Sequence, residues 1–96
     1  MANEKPLTGE AVDRLFKQLD GWQIEGGKEL RKEYRFPDFR QALDFVNRVG
    51  EAAESAGHHP DIYLTWGKVR VTLSTHSIGG LSENDFILAA KADQAL

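Results

Sequence analysis

The stretch IYLTWGKVRVTLST, residues 62–75, decides the architecture. Val69, Val71 and Leu73 alternate with Arg70, Thr72 and Ser74, the period-two pattern of a strand with one face in a core and the other in water. Ile62 to Trp66 reads as a second strand. Gly67-Lys68 between them is a tight turn, so the two runs form an antiparallel hairpin. Toward the N-terminus a second such pair appears. Trp22-Gln23-Ile24 is a short strand and Gly26-Gly27 a turn. Leu30 to Phe36 then sets Leu30, Tyr34 and Phe36 against Arg31, Glu33 and Arg35, with Lys32 interrupting the apolar side.

Three amphipathic helices flank these hairpins. Thr8 caps a helix running to about Leu19, with Val12, Leu15, Phe16 and Leu19 at i, i+3, i+4 and i+7. Asp38 and Gln41 form a capping-box pattern ahead of a longer helix. Its stripe is Phe39, Ala42, Val46, Val49 and Ala53, and Gly57 ends it in a left-handed conformation. Ser82 and Asp85 cap a third helix carrying Phe86, Ala89, Ala90 and Ala92. The order α-β-β-α-β-β-α predicts an α+β fold of two layers, a four-stranded antiparallel sheet with the three helices on one face. The other face is left to solvent or to a partner. Residues 1–7 read as a flexible N-terminus and residues 8–96 as a single domain, since 96 residues leave no room for a second core.

Composition narrows the function classes. Fifteen acidic against twelve basic residues give a net charge of −3, which argues against a protein living by phosphate contacts, so no nucleic-acid partner is expected. No apolar run approaches the roughly 20 residues that span a bilayer. Met1 to Leu7 carries no apolar segment of signal-peptide type, and a cytoplasmic protein is the expectation. With no cysteine, thiolate nucleophiles, thiolate metal sites and disulfides are excluded.

The three histidines, His58, His59 and His76, lie outside every apolar stripe. His58-His59 follow a helix end and precede Pro60, and His76 follows the clearest strand. The 62–75 hairpin returns the chain, so all three are expected at one end of the sheet, with Glu54 and Asp61 as acidic neighbours. Imidazole titrates near neutrality and serves as either acid or base. Adjacent histidines in extended chain point to opposite sides and no metal-ligand spacing occurs, so no metal is expected. Ser74 and Ser77 lack a nucleophile elbow. Gly26-Gly27 and Gly79-Gly80 read as turns rather than phosphate cradles. Trp22 and Trp66 could stack on a planar ligand, although packing is the commoner fate of tryptophan.

The blocks Glu54-Ser55-Ala56-Gly57-His58-His59-Pro60-Asp61, Val69 to His76 and Gly80-Leu81-Ser82-Glu83-Asn84-Asp85-Phe86 together resemble the signature of the pterin-4a-carbinolamine dehydratases. Gly21-Trp22 resembles a pair found early in that family, and the likeness spans roughly Gly21 to Asp93. The resemblance implies the same two-layer fold and dehydration of 4a-hydroxytetrahydropterin to quinonoid dihydropterin. It further implies no cofactor, a homodimer or homotetramer, and a link to an aromatic amino acid hydroxylase. Carried over residue by residue, the active-site histidines are His58, His59 and His76, and the pterin contacts are Gly57–His59 and Ser74–Ser77, including Thr75. Two positions depart from the family: Gly57 stands where an acidic residue often precedes the histidine pair, and Ile62 where an aromatic residue often follows the proline.

The chemistry needs a proton delivered to the 4a-hydroxyl and one removed from the ring. His58 and His76 are expected to move these protons and His59 to hold the pterin, wedged between the His58-His59 and Ser74–Ser77 segments. Glu54 is a candidate orienting partner and Trp22 a candidate stacking residue. The alternative is a binding or assembly module that keeps the fold without the chemistry.

Overall fold

A computed structural model describes residues 6–96. The elements run α1 (Gly9–Phe16), β1 (Gln23–Glu25), β2 (Glu29–Arg35), α2 (Phe39–Ala56), β3 (Asp61–Thr65), β4 (Lys68–Leu73) and α3 (Glu83–Gln94), with a 3-10 turn at His76–Ile78. The expected order is observed. The strands form one antiparallel sheet in the order β1-β2-β4-β3. The two hairpins therefore meet along β2 and β4, with Leu30 opposite Leu73 and Tyr34 opposite Val69. Among the described residues no helix is long and apolar enough to cross a membrane.

The period-two pattern of the strands sorts the two faces. Leu30, Tyr34, Val69, Val71 and Leu73 are buried on the inner face. Against them lie Ala42, Phe45, Val49 and Ala53 of α2, and Phe86, Leu88, Ala89 and Ala92 of α3. The outer face is polar, and Arg70 sits over the Tyr63 ring at 5.3 Å.

Local signals place the element ends. Asp38 accepts from Gln41 N at 2.8 Å, and the Gln41 side chain donates back to Asp38. Thr8 accepts from Ala11 N at 3.2 Å. The first helix is shorter than its apolar stripe: α1 stops at Phe16, and Gln18 and Leu19 close onto Leu15 and Phe16 in tighter i→i+3 turns. Leu19 still packs on the core. At the β3–β4 turn a side chain on Gly67 would meet the Phe36 carbonyl at 3.0 Å, and Phe36 N donates to Gly67 O at 2.8 Å, so the close approach needs glycine. Of the N-terminal segment expected to be flexible, residues 1–5 lie outside the described residues. Leu7 packs against the core and its N–H donates to Leu81 O at 3.0 Å.

Lys32, the one break in the apolar face of β2, has a physical account. Its ammonium donates to Asp93 Oδ1 and to Asp20 O, both at 2.8 Å, and lies 5.0 Å from the Tyr34 ring centre. Tyr34 Oη donates to the same Asp93 oxygen at 2.6 Å and Trp22 Nε1 donates to the other at 3.0 Å. Burial works to raise the Asp93 carboxyl. Hydrogen bonds from Lys32, Tyr34 and Trp22, with the lysine charge, outweigh it and hold the group below the ordinary carboxylate range. Burial, and then the bond and negative charge of Asp93, push the Tyr34 phenol upward.

Because its folded-state value is depressed, Asp93 contributes stability that is complete above the unfolded value of about 3.9 and is lost as pH falls through the folded one. Asp93→Asn is expected to cost about 1.5–3 kcal/mol at neutral pH, the range for hydrogen bonds to charged groups. Urea unfolding of both proteins from pH 7 down to 2 checks this, and the gap between them should close at the acid end.

Candidate functional site

Helix α2 delivers the first two histidines. Gly57 takes the left-handed conformation at φ 63°, Gly57 N donates to Glu54 O at 3.3 Å, and His58 N donates to Ala53 O at 3.2 Å. This paired closure is a Schellman cap, and it fixes the backbone at the point where His58 leaves the helix. The third histidine follows β4. Asp61 pairs with Thr72, so the chain just before β3 and the chain just after β4 lie at the same end of the sheet, as expected from the hairpin. Thr75 then forms an isolated bridge to Gly80, which closes the short loop around His76.

The three rings have different surroundings. The His58 side chain is only 10 % exposed, and its Nε2 lies 2.5 Å from Oδ1 of Asp85, which is fully buried. The other Asp85 oxygen accepts from Thr75 Oγ1 at 2.8 Å and from Ser82 N at 2.9 Å. Thr75 and Ser82 hydroxyls are themselves 2.8 Å apart. One carboxylate thus links the segment before β3, the segment after β4 and the start of α3. His59 is paired through Nε2 with Glu54, and both side chains are well exposed. An exposed pair of this kind contributes little to stability. His76 is exposed, with Nε2 3.3 Å from Ser74 Oγ.

A cleft of about 440 Å³ opens beside His76. Ser74, Thr75, His76, Gly79 and Gly80 line it on one side, and Glu25, Lys28 and Glu29 of the β1–β2 turn on the other. Gly57, His58 and His59 are not among the residues that line this cleft. Strand order is the reason. With β2 beside β4, the β1–β2 turn stands next to the chain leaving β4. Among the described residues no group of three or more His, Cys, Asp or Glu side chains could hold a metal ion.

Of the remaining candidates, Glu54 is beside a histidine, namely His59. Asp61 is exposed at the start of β3. Trp22, the candidate stacking residue, lies in the core beside β2. It is 5 % exposed, meets Tyr34 edge-on at 6.4 Å and donates to Asp93, so its faces belong to the core. Trp66 is 73 % exposed but sits at the β3–β4 turn, the far end of the hairpin from the histidines. Asp85 was legible only as a helix cap. The capping box is present, and the same side chain also holds His58.

The family model described as pterin 4 alpha carbinolamine dehydratase matches residues 5–95. The chain belongs to this family. A relative from Rubrobacter xylanophilus, provisionally named a pterin-4-alpha-carbinolamine dehydratase, is 54 % identical over 89 residues, covering 93 % of this chain and 83 % of the relative. One from Chlorobium limicola with the same provisional name is 52 % identical over 89 residues, covering 90 % and 79 %. The crystal structure of a transcriptional coactivator/pterin dehydratase from Brucella melitensis superposes with a TM-score of 0.88 at 33 % identity, covering 94 % of this chain and 97 % of that one. A pterin dehydratase-like protein identified as a RuBisCO assembly factor in the alpha-carboxysome superposes with a TM-score of 0.67 at 26 % identity, covering 78 % and 88 %.

The helix cap ahead of the histidine pair invites a test. A Cβ on Gly57 meets nothing within 4 Å, so Gly57→Ala adds no clash and acts only through its positive φ. It is expected to lower stability by about 1–2 kcal/mol. Gly57→Asn should recover part of that loss, and urea unfolding midpoints check both.

Proposed function

We propose that this family member dehydrates 4a-hydroxytetrahydropterin to quinonoid dihydropterin by histidine acid-base catalysis. The observation that supports this most is the His58–Asp85 pair, an imidazole held by a buried carboxylate whose second oxygen is bonded to Thr75, the residue before His76. A base oriented by a third group is the recurring arrangement of acid-base sites. In this reading the planar pterin wedges between the His58-His59 segment and the Ser74–Ser77 segment, beside His76, where backbone groups can meet its polar edge.

The reaction balances within the substrate and two imidazoles. The protonated His76 ring donates to the 4a-hydroxyl oxygen, and the C4a–O bond breaks with release of water. The N5–H bond gives its electron pair to form C4a=N5, and the His58 ring accepts the proton. His59, with Glu54, stands at the substrate edge and holds the pterin. Passage of a proton from His58 to His76 through solvent resets the site. Acid-base assistance of this kind is worth about 10²–10⁴-fold.

The open edge of β3 further supports a homodimer or homotetramer. Sedimentation at micromolar concentration is expected to give at least twice the 10.7 kDa chain mass. A clean monomer overturns the assembly.

Ultraviolet decay of freshly generated 4a-hydroxytetrahydropterin tests the activity. The protein should accelerate it with a bell-shaped pH profile whose limbs belong to the coupled set of rings. His58→Ala and His76→Ala should each lower turnover about 10²-fold, with the double variant little worse, since the two act as a unit. A folded double variant at the wild-type rate leaves the assembly-module reading, which the likeness to the RuBisCO assembly factor favours.

A further inference from the structure

We propose that Asp85 is the positioning residue of this site, holding His58 as the Nε2–H tautomer so that Nδ1 is the ring's one acceptor. The proposal rests on the dehydratase reading and names the group that makes His58 a base.

The hydrogen-bond directions carry it. The Ser82 backbone N–H can only donate, so Asp85 Oδ2 accepts there, and Thr75 Oγ1 donates to the same oxygen. In this proposal Asp85 is the carboxylate, which has no hydrogen to give, so its remaining oxygen, Oδ1, also accepts. The nitrogen facing Oδ1 at 2.5 Å is His58 Nε2, which must then carry the hydrogen. A neutral imidazole has one N–H and one lone pair, so the lone pair falls on Nδ1.

The carboxylate is also unable to turn away. Asp85 sits in the first turn of α3, its backbone held by the helix and its Oδ2 held by two donors from different segments. Asp85 is fully buried and the His58 side chain nearly so, which removes water as a competing partner. A cap at this helix position is more often Glu or Gln. The shorter aspartate keeps the cap bond with one oxygen and faces the second toward His58. A helix cap alone would need only Oδ2.

The experiment is ¹⁵N NMR of the histidine rings joined to the dehydration assay. In the wild-type neutral ring, His58 is expected to show a hydrogen-bearing Nε2 and a lone-pair Nδ1. In Asp85→Asn the amide oxygen can keep the Ser82 and Thr75 bonds while its NH₂ faces His58. The neutral ring should then switch to the Nδ1–H form, and kcat should fall about 10²-fold with KM within about threefold, the loss expected of a misdirected base. A purely structural role would lower stability and leave the tautomer as it was.

A wild-type neutral ring with its hydrogen on Nδ1 overturns the proposal whatever the activity. A folded Asp85→Asn protein with the wild-type tautomer and kcat overturns it as well. If Asp85→Asn does not fold, the wild-type spectrum decides alone. A wild-type protein that leaves the carbinolamine's decay unchanged overturns the dehydratase reading, and the ring spectra still decide whether Asp85 sets the tautomer.

Discussion

Taking a carboxylate out of water costs several kcal/mol unless donors replace the lost hydration. Asp85 is fully buried, and its donors come from three places in the chain: the residue after the α2 cap, the residue before the 3-10 turn, and its own helix start. Those bonds cannot be satisfied unless α2, β4 and α3 sit in their observed relation. The same requirement that offsets the buried charge therefore brings the histidine segments together. Packing of Phe45, Leu30 and Leu73 supplies the larger, non-directional part of the stabilisation, and Asp85 supplies direction.

Helix α3 carries a second such carboxylate near its other end. Asp93 gathers Lys32, Tyr34 and Trp22 around its two oxygens, which joins α3 to β2 and to the entry of β1. The two sites differ in chemistry. Asp93 is met by a permanent cation and two neutral donors, an arrangement that holds a charge in place. Asp85 is met by a hydroxyl, a backbone amide and an imidazole, and only the imidazole can carry its hydrogen on either of two nitrogens. Both ends of one helix are thus pinned, one by a fixed charge network and one by a ring with a choice of tautomer.

What was legible in the sequence was local. The alternation Val69, Val71, Leu73, the glycine at 57 and the Asp38–Gln41 cap each depend on neighbours within a few positions, and each is observed. Lys32 looked like a flaw in a strand because its partner, Asp93, is 61 positions away. Asp85 looked like a cap because its second partner, His58, is 27 positions away. The cleft beside His76 depends on β2 lying next to β4, and two hairpins read separately do not specify that order. Trp22 offered an aromatic face in the sequence, and Tyr34 and Asp93 take up that face and its N–H in the fold.

The separation of the two carboxylates along α3 has an evolutionary consequence. The twelve residues of α3 extend about 18 Å, so the network that braces the sheet and the one that holds a histidine are physically apart. His59 and His76 are exposed, and exchanging an exposed side chain rarely changes stability by more than about 0.5 kcal/mol. Those two rings can drift in a lineage that no longer needs them, while the fold persists on its core and on Asp93. His58 and Asp85 cannot drift singly, since losing either leaves a buried polar partner unmatched; they can only be replaced together. A descendant that has abandoned the chemistry would first show it at positions 59 and 76, with the buried pair surviving longest as a relic.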